Sequence, residues 1–251
     1  MFEGLKSLFS SKKKINIESL AAFGVDIHSH LIADIDDGVN TIDEAIEILL
    51  KLKSLGYRKV ITTPHTMKGG YDNTPEIILS GYDMLKEEME RRNFNFPIEV
   101  ASEYYLDETF LKLLSDENKI LTFGDNYLLF ELSYITRPSN METAFFEMNV
   151  AGYRPIMAHP ERYPYLIDKD LTAYKKIKDA GIYLQLNLFS LVGYYGKPAQ
   201  YTAERLIDAD MIDFVGTDIH NPSQIDVLTS CLKSEYVEKL LNYKGLKNNL
   251  L

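Results

Sequence analysis

The chain has 251 residues, 45% of them hydrophobic and 25% charged, with no tryptophan but 17 tyrosines and 12 phenylalanines. That composition excludes disordered and collagen-like classes and suits one large core, since α/β barrels reach this length as a single unit. With 27 basic against 37 acidic residues the formal net charge of −10 opposes a broad grip on nucleic acid or anionic lipid, and a single cysteine, Cys231, excludes an internal disulfide and a cysteine-based zinc site.

The first 24 residues read as an N-terminal extension ahead of one domain spanning residues 25–251. Phe2, Leu5, Leu8 and Phe9 have helical spacing and precede Lys12, Lys13 and Lys14, a pattern that allows contact with the inner face of a membrane. A lead-in that packs on the domain is the plainer reading. No apolar run approaches the ~20 residues of a bilayer span, and the lysines follow the apolar residues instead of preceding them as in a signal peptide. A cytoplasmic location is expected.

From Val25 onward, short β-branched or aromatic runs alternate with segments of helical periodicity, the rhythm of βα units around a parallel sheet. Strands are predicted at Val25 to Ile27, Lys59 to Thr63, Ile98 to Ala101, Tyr127 to Leu132, Arg154 to Ala158, Ile182 to Leu188 and Ile212 to Thr217. The helix after the first strand is marked by Thr41 and Glu44 in a capping-box pattern, an apolar stripe from Ile42 to Leu52, and Gly56 at the C-cap. Further helices are predicted at Pro75 to Arg92, Ser139 to Ala151, Leu171 to Ala180 and Ala199 to Ala209. No flexible linker interrupts the series, so one barrel-like domain is the simplest arrangement.

In such a barrel the functional face lies at the C-terminal ends of the strands. All five histidines fall there: His28 and His30 in Asp-Ile-His-Ser-His, His65 in Thr-Thr-Pro-His, His159 in Met-Ala-His-Pro-Glu-Arg, and His220 in Gly-Thr-Asp-Ile-His. A lone histidine at a strand end is usually structural, but none here is left for a helix surface. Glu103, Glu131 and Asp218 close or nearly close three of the same strands, where an unpaired carboxylate is costly. Asp34, Asp36 and Asp37 crowd the loop Ile32 to Val39, for which a solvated turn is the plain reading. On an extended strand His-x-His turns both imidazoles to one face, and with carboxylates from other strand ends this makes a mixed nitrogen and oxygen cluster suited to Zn, Mn or Fe. Without thiolates, open catalytic coordination is favoured over a closed structural site.

At these residues the chain resembles the PHP (polymerase and histidinol phosphatase) superfamily, and within it the bacterial manganese-dependent tyrosine-protein phosphatase branch, over Val25 to about Asn221. The resemblance implies a distorted (β/α)7 barrel with three divalent ions, Mn foremost, with Fe, Zn or Mg as alternatives. By that pattern His28, His30, Glu103 and Asp218 hold one ion, Glu103, Glu131 and His159 a second, and Asp37, His65 and His220 a third, with Glu103 bridging the first two. Other superfamily members commonly have histidine where this chain has Asp37 and Glu131, and the Ala-His-Pro-Glu-Arg string is similar to the tyrosine-phosphatase branch. After Asn221 that branch often carries an arginine, whereas this chain reads Pro222-Ser223-Gln224.

The implied chemistry is hydrolysis of phosphotyrosine by a metal-activated hydroxide, with no protein nucleophile. Cys231 fits that, because a cysteine-dependent phosphatase needs arginine six positions on and Val237 stands there. Glu103, His220 and Arg162 are the expected catalytic groups, and Arg162 is also the candidate phosphate clamp, its plain alternative being a surface ion pair with Glu161 or another neighbour. Lys68 is a second substrate-binding candidate, with a solvated loop lysine as the alternative. Tyr71, Tyr104, Tyr105, Tyr163, Tyr194 and Tyr195 are expected around the mouth, where rings suit a phosphotyrosine. The resemblance further implies a partner, the tyrosine-rich tail of a bacterial autokinase controlling capsule or exopolysaccharide synthesis. The competing readings are a PHP phosphoesterase for histidinol phosphate or a nucleotide, and a non-catalytic protein that kept the barrel.

Overall fold

The computed structural model describes residue 15, residues 17–114 and residues 120–251. Among them nine strands are β1 Val25–Asp26, β2 Lys59–Thr62, β3 His65–Thr66, β4 Ile98–Val100, β5 Glu103–Tyr105, β6 Tyr127–Glu131, β7 Arg154–Ala158, β8 Tyr183–Asn187 and β9 Phe214–Gly216. They form two sheets, β1-β2-β4 and β3-β5-β6-β7-β8-β9, in which every pair is parallel. The eight α-helices are α1 Ile42–Ser54, α2 Pro75–Arg91, α3 Glu108–Leu113, α4 Met141–Val150, α5 Thr172–Asp179, α6 Lys197–Asp208, α7 Ile225–Ser230 and α8 Glu235–Leu241.

Each predicted strand has a counterpart, but the second and third continue past a break, as β2 then β3 and β4 then β5. Pro64 lacks an N–H, so the ladder is interrupted there. Pairing resumes at once, as Ala101 N donates to Thr62 O at 2.9 Å and Glu103 N to Pro64 O at 3.0 Å. The predicted long helices are also present. α1 is capped by Thr41, whose side chain accepts from Glu44 N, and α2 by Thr74, with Pro75 at its first turn. The short helices α3, α7 and α8 carry too few residues to show a period, and the sequence reading did not find them.

Two apolar clusters result. The larger lies between strands and helices, where Ile46, Leu49 and Leu52 of α1 share a core with Leu128 and Phe130 of β6. The smaller draws on the opposite face of the strands, with Val25, Ile61, Ala101, Leu129, Ile156 and Phe214. β6 is buried throughout, as a parallel strand covered on both faces should be. Leu20 and Phe23 are fully buried, and Ile17 N donates to Leu232 O at 2.9 Å, so residues 17–24 pack on the body. The amphipathic pattern of Phe2 to Lys14 lies outside the described residues.

The edges β1 and β9 approach each other at both ends. Asp218 N donates to His28 O at 2.7 Å and His30 N to Ile219 O at 3.0 Å. At the opposite end the buried carboxamide of Asn248 donates to Val25 O and Val215 O and accepts from Val215 N, standing in for ladder bonds between the two strands.

Candidate metal centre

The regular pairing of β1 stops at Asp26, and the chain then runs extended through His28 and His30. Val25 and Ile27 join the inner apolar cluster, while His28 and His30, of opposite parity, reach Glu103 and Asp218. Two glycines admit this path. A Cβ on Gly216 would stand 2.7 Å from the Cβ of His28, and one on Gly38 would stand 2.4 Å from His30 O. His159 and Asp218, which end β7 and follow β9, hold left-handed φ values of 34° and 53° that non-glycine residues rarely adopt. Such strain collects at functional sites.

All nine residues expected as metal ligands converge. His28 Nε2 lies 3.1 Å from Glu103 Oε2 and 3.2 Å from Asp218 Oδ1, and His30 Nε2 lies 3.3 Å from the same Asp218 oxygen. His65 Nδ1 is 3.3 Å from both Glu103 Oε2 and Glu131 Oε1. His159 Nε2 meets the other oxygen of Glu103 at 3.0 Å. Asp37 Oδ1 stands 3.5 Å from His65 Nε2 and 3.6 Å from His220 Nε2. Three sets of donor atoms lie close enough to share an ion: His28, His30, Glu103 and Asp218; His65, Glu103 and Glu131; and His30, Asp37, His65 and His220. Glu103 belongs to two of them, at the centre. His65 thus stands with Glu103 and Glu131 where His159 was expected, and His159 meets Glu103 alone of these carboxylates.

These donors suit divalent ions. Ligands ~2.1 Å from one ion stand ~3.0 to 3.4 Å apart, the spacing found here. His65 Nδ1 is buried without a hydrogen bond although two carboxylate oxygens are 3.3 Å away, so those groups converge on a point instead of pairing along a bond. Outer partners orient the rings, as in metal sites generally: His28 Nδ1 meets Gln185 Oε1 at 2.8 Å and His30 Nδ1 meets Asp36 Oδ2 at 2.8 Å.

The buried carboxylates and imidazoles shift one another's protonation. Burial pushes the Glu103 carboxyl up, but His28 and His65 outweigh it and hold the group well below the usual range. Burial depresses His28, yet the Glu103 and Asp218 charges raise it to about 9, and His30 is likewise held well above its ordinary value against burial, chiefly by Asp36. Glu131 is pushed up by burial and by the Glu103 charge. His159 is lowered to about 4 by burial and the Arg162 charge, and His220 to about 4 by burial and His30, so both are neutral donors at pH 7.

Arg162 is placed beside the cluster, not against Glu161. Its Nη1 donates to Asp218 Oδ2 at 2.8 Å, and its guanidinium lies 3.9 Å from the ring centre of Tyr195 and 4.8 Å from that of Tyr134. Glu161 faces the other way, fully buried, and accepts from Asn187 N and Ser190 Oγ. Lys68 is exposed, pairs with Asp72 at 3.0 Å, and is not among the residues lining the cleft above the cluster. Of the expected tyrosines, Tyr71 and Tyr105 line that cleft, whereas Tyr104 and Tyr163 are core residues. Tyr104 instead accepts a bond from Leu121 N, and Tyr163 from Leu132 N. Cys231 is buried in the 3-10 turn after α7 and its thiol is pushed up to about 12 by burial, which leaves it no role as a nucleophile.

Sequence reasoning missed Asp36, Gln185, Asn187 and Tyr134. Asn187 Nδ2 donates to Asp218 Oδ2 at 2.8 Å, fixing the oxygen that faces Arg162. For Gln185 and Asn187 the signal was present, because both are polar residues on the inner face of an otherwise apolar strand. Tyr134 sits on a loop three residues past Glu131 and carries no such signal.

The profile of the family described as "Capsular polysaccharide synthesis, CpsB/CapC" matches residues 24–246. The tyrosine-protein phosphatase YwqE of Bacillus subtilis is 28% identical over 198 residues, covering 78% of this chain and 77% of that protein. The tyrosine-protein phosphatase CpsB of Streptococcus agalactiae is 28% identical over 217 residues, covering 84% and 88%. Among solved structures, one from a study of YwqE from Bacillus subtilis and CpsB from Streptococcus pneumoniae, described as metal-dependent tyrosine phosphatases, superposes with a TM-score of 0.73 at 25% identity, covering 89% of this chain and 95% of that one.

Proposed function

We propose that this chain, which belongs to the CpsB/CapC family of capsular polysaccharide synthesis, is a metal-dependent protein-tyrosine phosphatase, a phosphoric monoester hydrolase. The observation that carries the reading is the convergence of five histidines and three further carboxylates around Glu103, with Arg162 at their edge. His28, His30, Glu103 and Asp218 are assigned to one ion, Glu131 and His159 with Glu103 to a second, and Asp37, His65 and His220 to a third, with manganese as the expected metal. Bound there, divalent ions supply an acidified water and neutralise charge that develops on phosphoryl oxygens.

The protein's own groups do the rest. Arg162 presents a guanidinium to the phosphoryl oxygens, a planar donor fork matched to phosphate. Its orientation is fixed before substrate arrives by the Tyr195 and Tyr134 faces and by Asp218. Asn187 holds Asp218 from behind, so the carboxylate serves the cluster with Oδ1 and Arg162 with Oδ2. His220 stacks on His30 at 3.9 Å between ring centres and closes the side of the cleft nearest Asp37.

Support for a single distorted (β/α)7 barrel over residues 25–251 comes from the hydrogen bonds across the Pro64 break and from the contacts of β1 with β9 at both ends. The proposed substrate is a phosphotyrosine protein of the cytoplasm, the tyrosine-rich tail of a bacterial autokinase. Two features support the location: the one cysteine is unpaired, and no helix among the described residues is long and apolar enough to cross a membrane. The cleft above the cluster, of about 280 Å³, has room for a phosphorylated side chain.

The test is hydrolysis of a phosphotyrosine peptide by the full chain, stimulated by Mn²⁺ and abolished by chelator. Undiminished turnover after thorough metal stripping overturns the metal-dependent reading, and a higher kcat/KM for histidinol phosphate overturns the substrate.

A further inference from the structure

The cleft has two kinds of lining. Its charged groups are Asp37, Arg162, Asp218 and His220, and interleaved with them are the apolar and aromatic side chains of Met67, Tyr71, Tyr105 and Tyr134. Tyr71 stacks on His65 at 5.4 Å and 15°, and Tyr134 stacks on His159 at 5.6 Å and 26°. Those two histidines approach opposite oxygens of Glu103, His65 at 3.3 Å from Oε2 and His159 at 3.0 Å from Oε1. The tyrosine rings therefore stand on either side of the central carboxylate, flanking the place where a phosphoryl group meets the cluster.

Neither ring is absorbed in the core. Tyr134 is 39% exposed and Tyr71 half-buried. The Tyr134 hydroxyl lies 3.4 Å from Nδ1 and 3.3 Å from Nε2 of His159, so it stands over the imidazole face and not along one nitrogen's lone pair. Stacking, not a directed hydrogen bond, sets its position. The loop that carries it is built for that purpose: Ser133 Oγ accepts from Ile135 N and Thr136 N, and Tyr165 Oη donates to Ser133 O at 2.6 Å. That turn aims Tyr134 inward and leaves Ile135 outside.

We infer that Tyr71 and Tyr134 are specificity-determining residues of this site, selecting aryl over alkyl phosphomonoesters by lining the cleft with aromatic surface for the ester's ring while Arg162 and the cluster take the phosphoryl end. This rests on the phosphatase reading above and names the residues that set its substrate class.

Non-hydrolysable phosphonates separate ring recognition from the reactivity of the leaving group. Phenylphosphonate and methylphosphonate are titrated calorimetrically into the manganese-loaded full chain, with metal content checked for every variant. The wild type is expected to bind phenylphosphonate more tightly. Tyr134→Ala and Tyr71→Ala should each shrink that advantage by about 2- to 10-fold, the worth of one aromatic pair, and the double variant by more. Tyr134→Phe should keep it, and Tyr134→Leu, which conserves bulk, should lose part of it. An aryl advantage that persists in both alanine variants at equal metal content overturns the inference, as does a loss in Tyr134→Phe equal to that in Tyr134→Ala. Either result leaves the phosphatase reading standing, because that reading is tested separately, by turnover of phosphotyrosine peptide, its metal dependence and its preference over histidinol phosphate.

Discussion

The two ends of the same strands are chemical opposites. At the end where Asn248 bridges β1 and β9, Tyr127, Tyr183 and Phe214 pack edge-on, with Tyr127 and Phe214 5.2 Å apart at 77°, over a patch of Val25, Ile61 and Ile156. At the other end Glu103, His28 and His30 are as fully buried as those apolar residues, and His159 and Asp218 carry strained backbone. Burying charge and holding left-handed residues both cost free energy. Apolar packing at one end thus offsets a polar, strained arrangement at the other, and substitutions at the two ends should fail in different ways.

The sharpest contrast is between Glu103→Gln and Phe214→Ala. Glu103 touches four of the five histidines, and losing its charge should cut phosphotyrosine turnover on the order of 10³-fold, through several kcal/mol of lost charge stabilisation, with metal content reduced. Phe214→Ala should instead lower unfolding free energy by about 3 to 5 kcal/mol with metal stoichiometry retained. Denaturant melts and metal analysis of both variants check this. If Phe214→Ala removed metal as thoroughly as Glu103→Gln, the division between the ends would be false.

Asp36 tests how far the polar end extends. Its side chain is shielded from solvent, touches the back of His30 at 2.8 Å, and accepts from Gly38 N and His65 N. Burial pushes its carboxyl up, but His30 outweighs this and holds it at about 2. Asp36→Asn should weaken metal binding by about 10- to 100-fold, with activity regained at higher Mn²⁺. Loss that excess metal does not restore would make Asp36 more than an orienting partner.

Asp36 also marks the limit of what the sequence discloses. The strands and long helices were legible because apolar period and capping residues are local signals, and eight of the nine ligand candidates because metal-ligand residue types recur at strand ends, whereas Asp37 was singled out by the family resemblance alone. Asp34, Asp36 and Asp37 are chemically alike and nearly adjacent, however. Only the fold of the loop sends Asp36 under His30, Asp37 to the cleft, and Asp34 to the surface. Tyr134 and Tyr104 differ for the same reason: which tyrosine reaches the mouth is settled by loop direction and not by residue type. The Pro64 break likewise shows in sequence, but the resumption of pairing at His65 depends on the neighbouring strand.

The smallest expected effect concerns pH, and its sign separates the metal-free protein from the loaded one. His28 rises from an ordinary 6.5 to about 9 through the Glu103 and Asp218 charges, and His30 is also held high by Asp36, so the pair holds a proton at pH 7 without metal. A group raised in the folded state stabilises it fully below its unfolded pKa, and that contribution is lost as pH climbs through the folded pKa. The chelated chain should therefore lose Tm between about pH 6.5 and 9. Metal must displace the same proton, so its binding strengthens over that window and its stabilisation grows. The gap in Tm between loaded and chelated protein should widen from pH 6.5 to 9, and calorimetry at pH 7 in buffers of different ionisation enthalpy should register proton release on metal binding. A gap that narrowed with pH would mean the buried histidines are already neutral, and the polar end would then be held by hydrogen bonds alone.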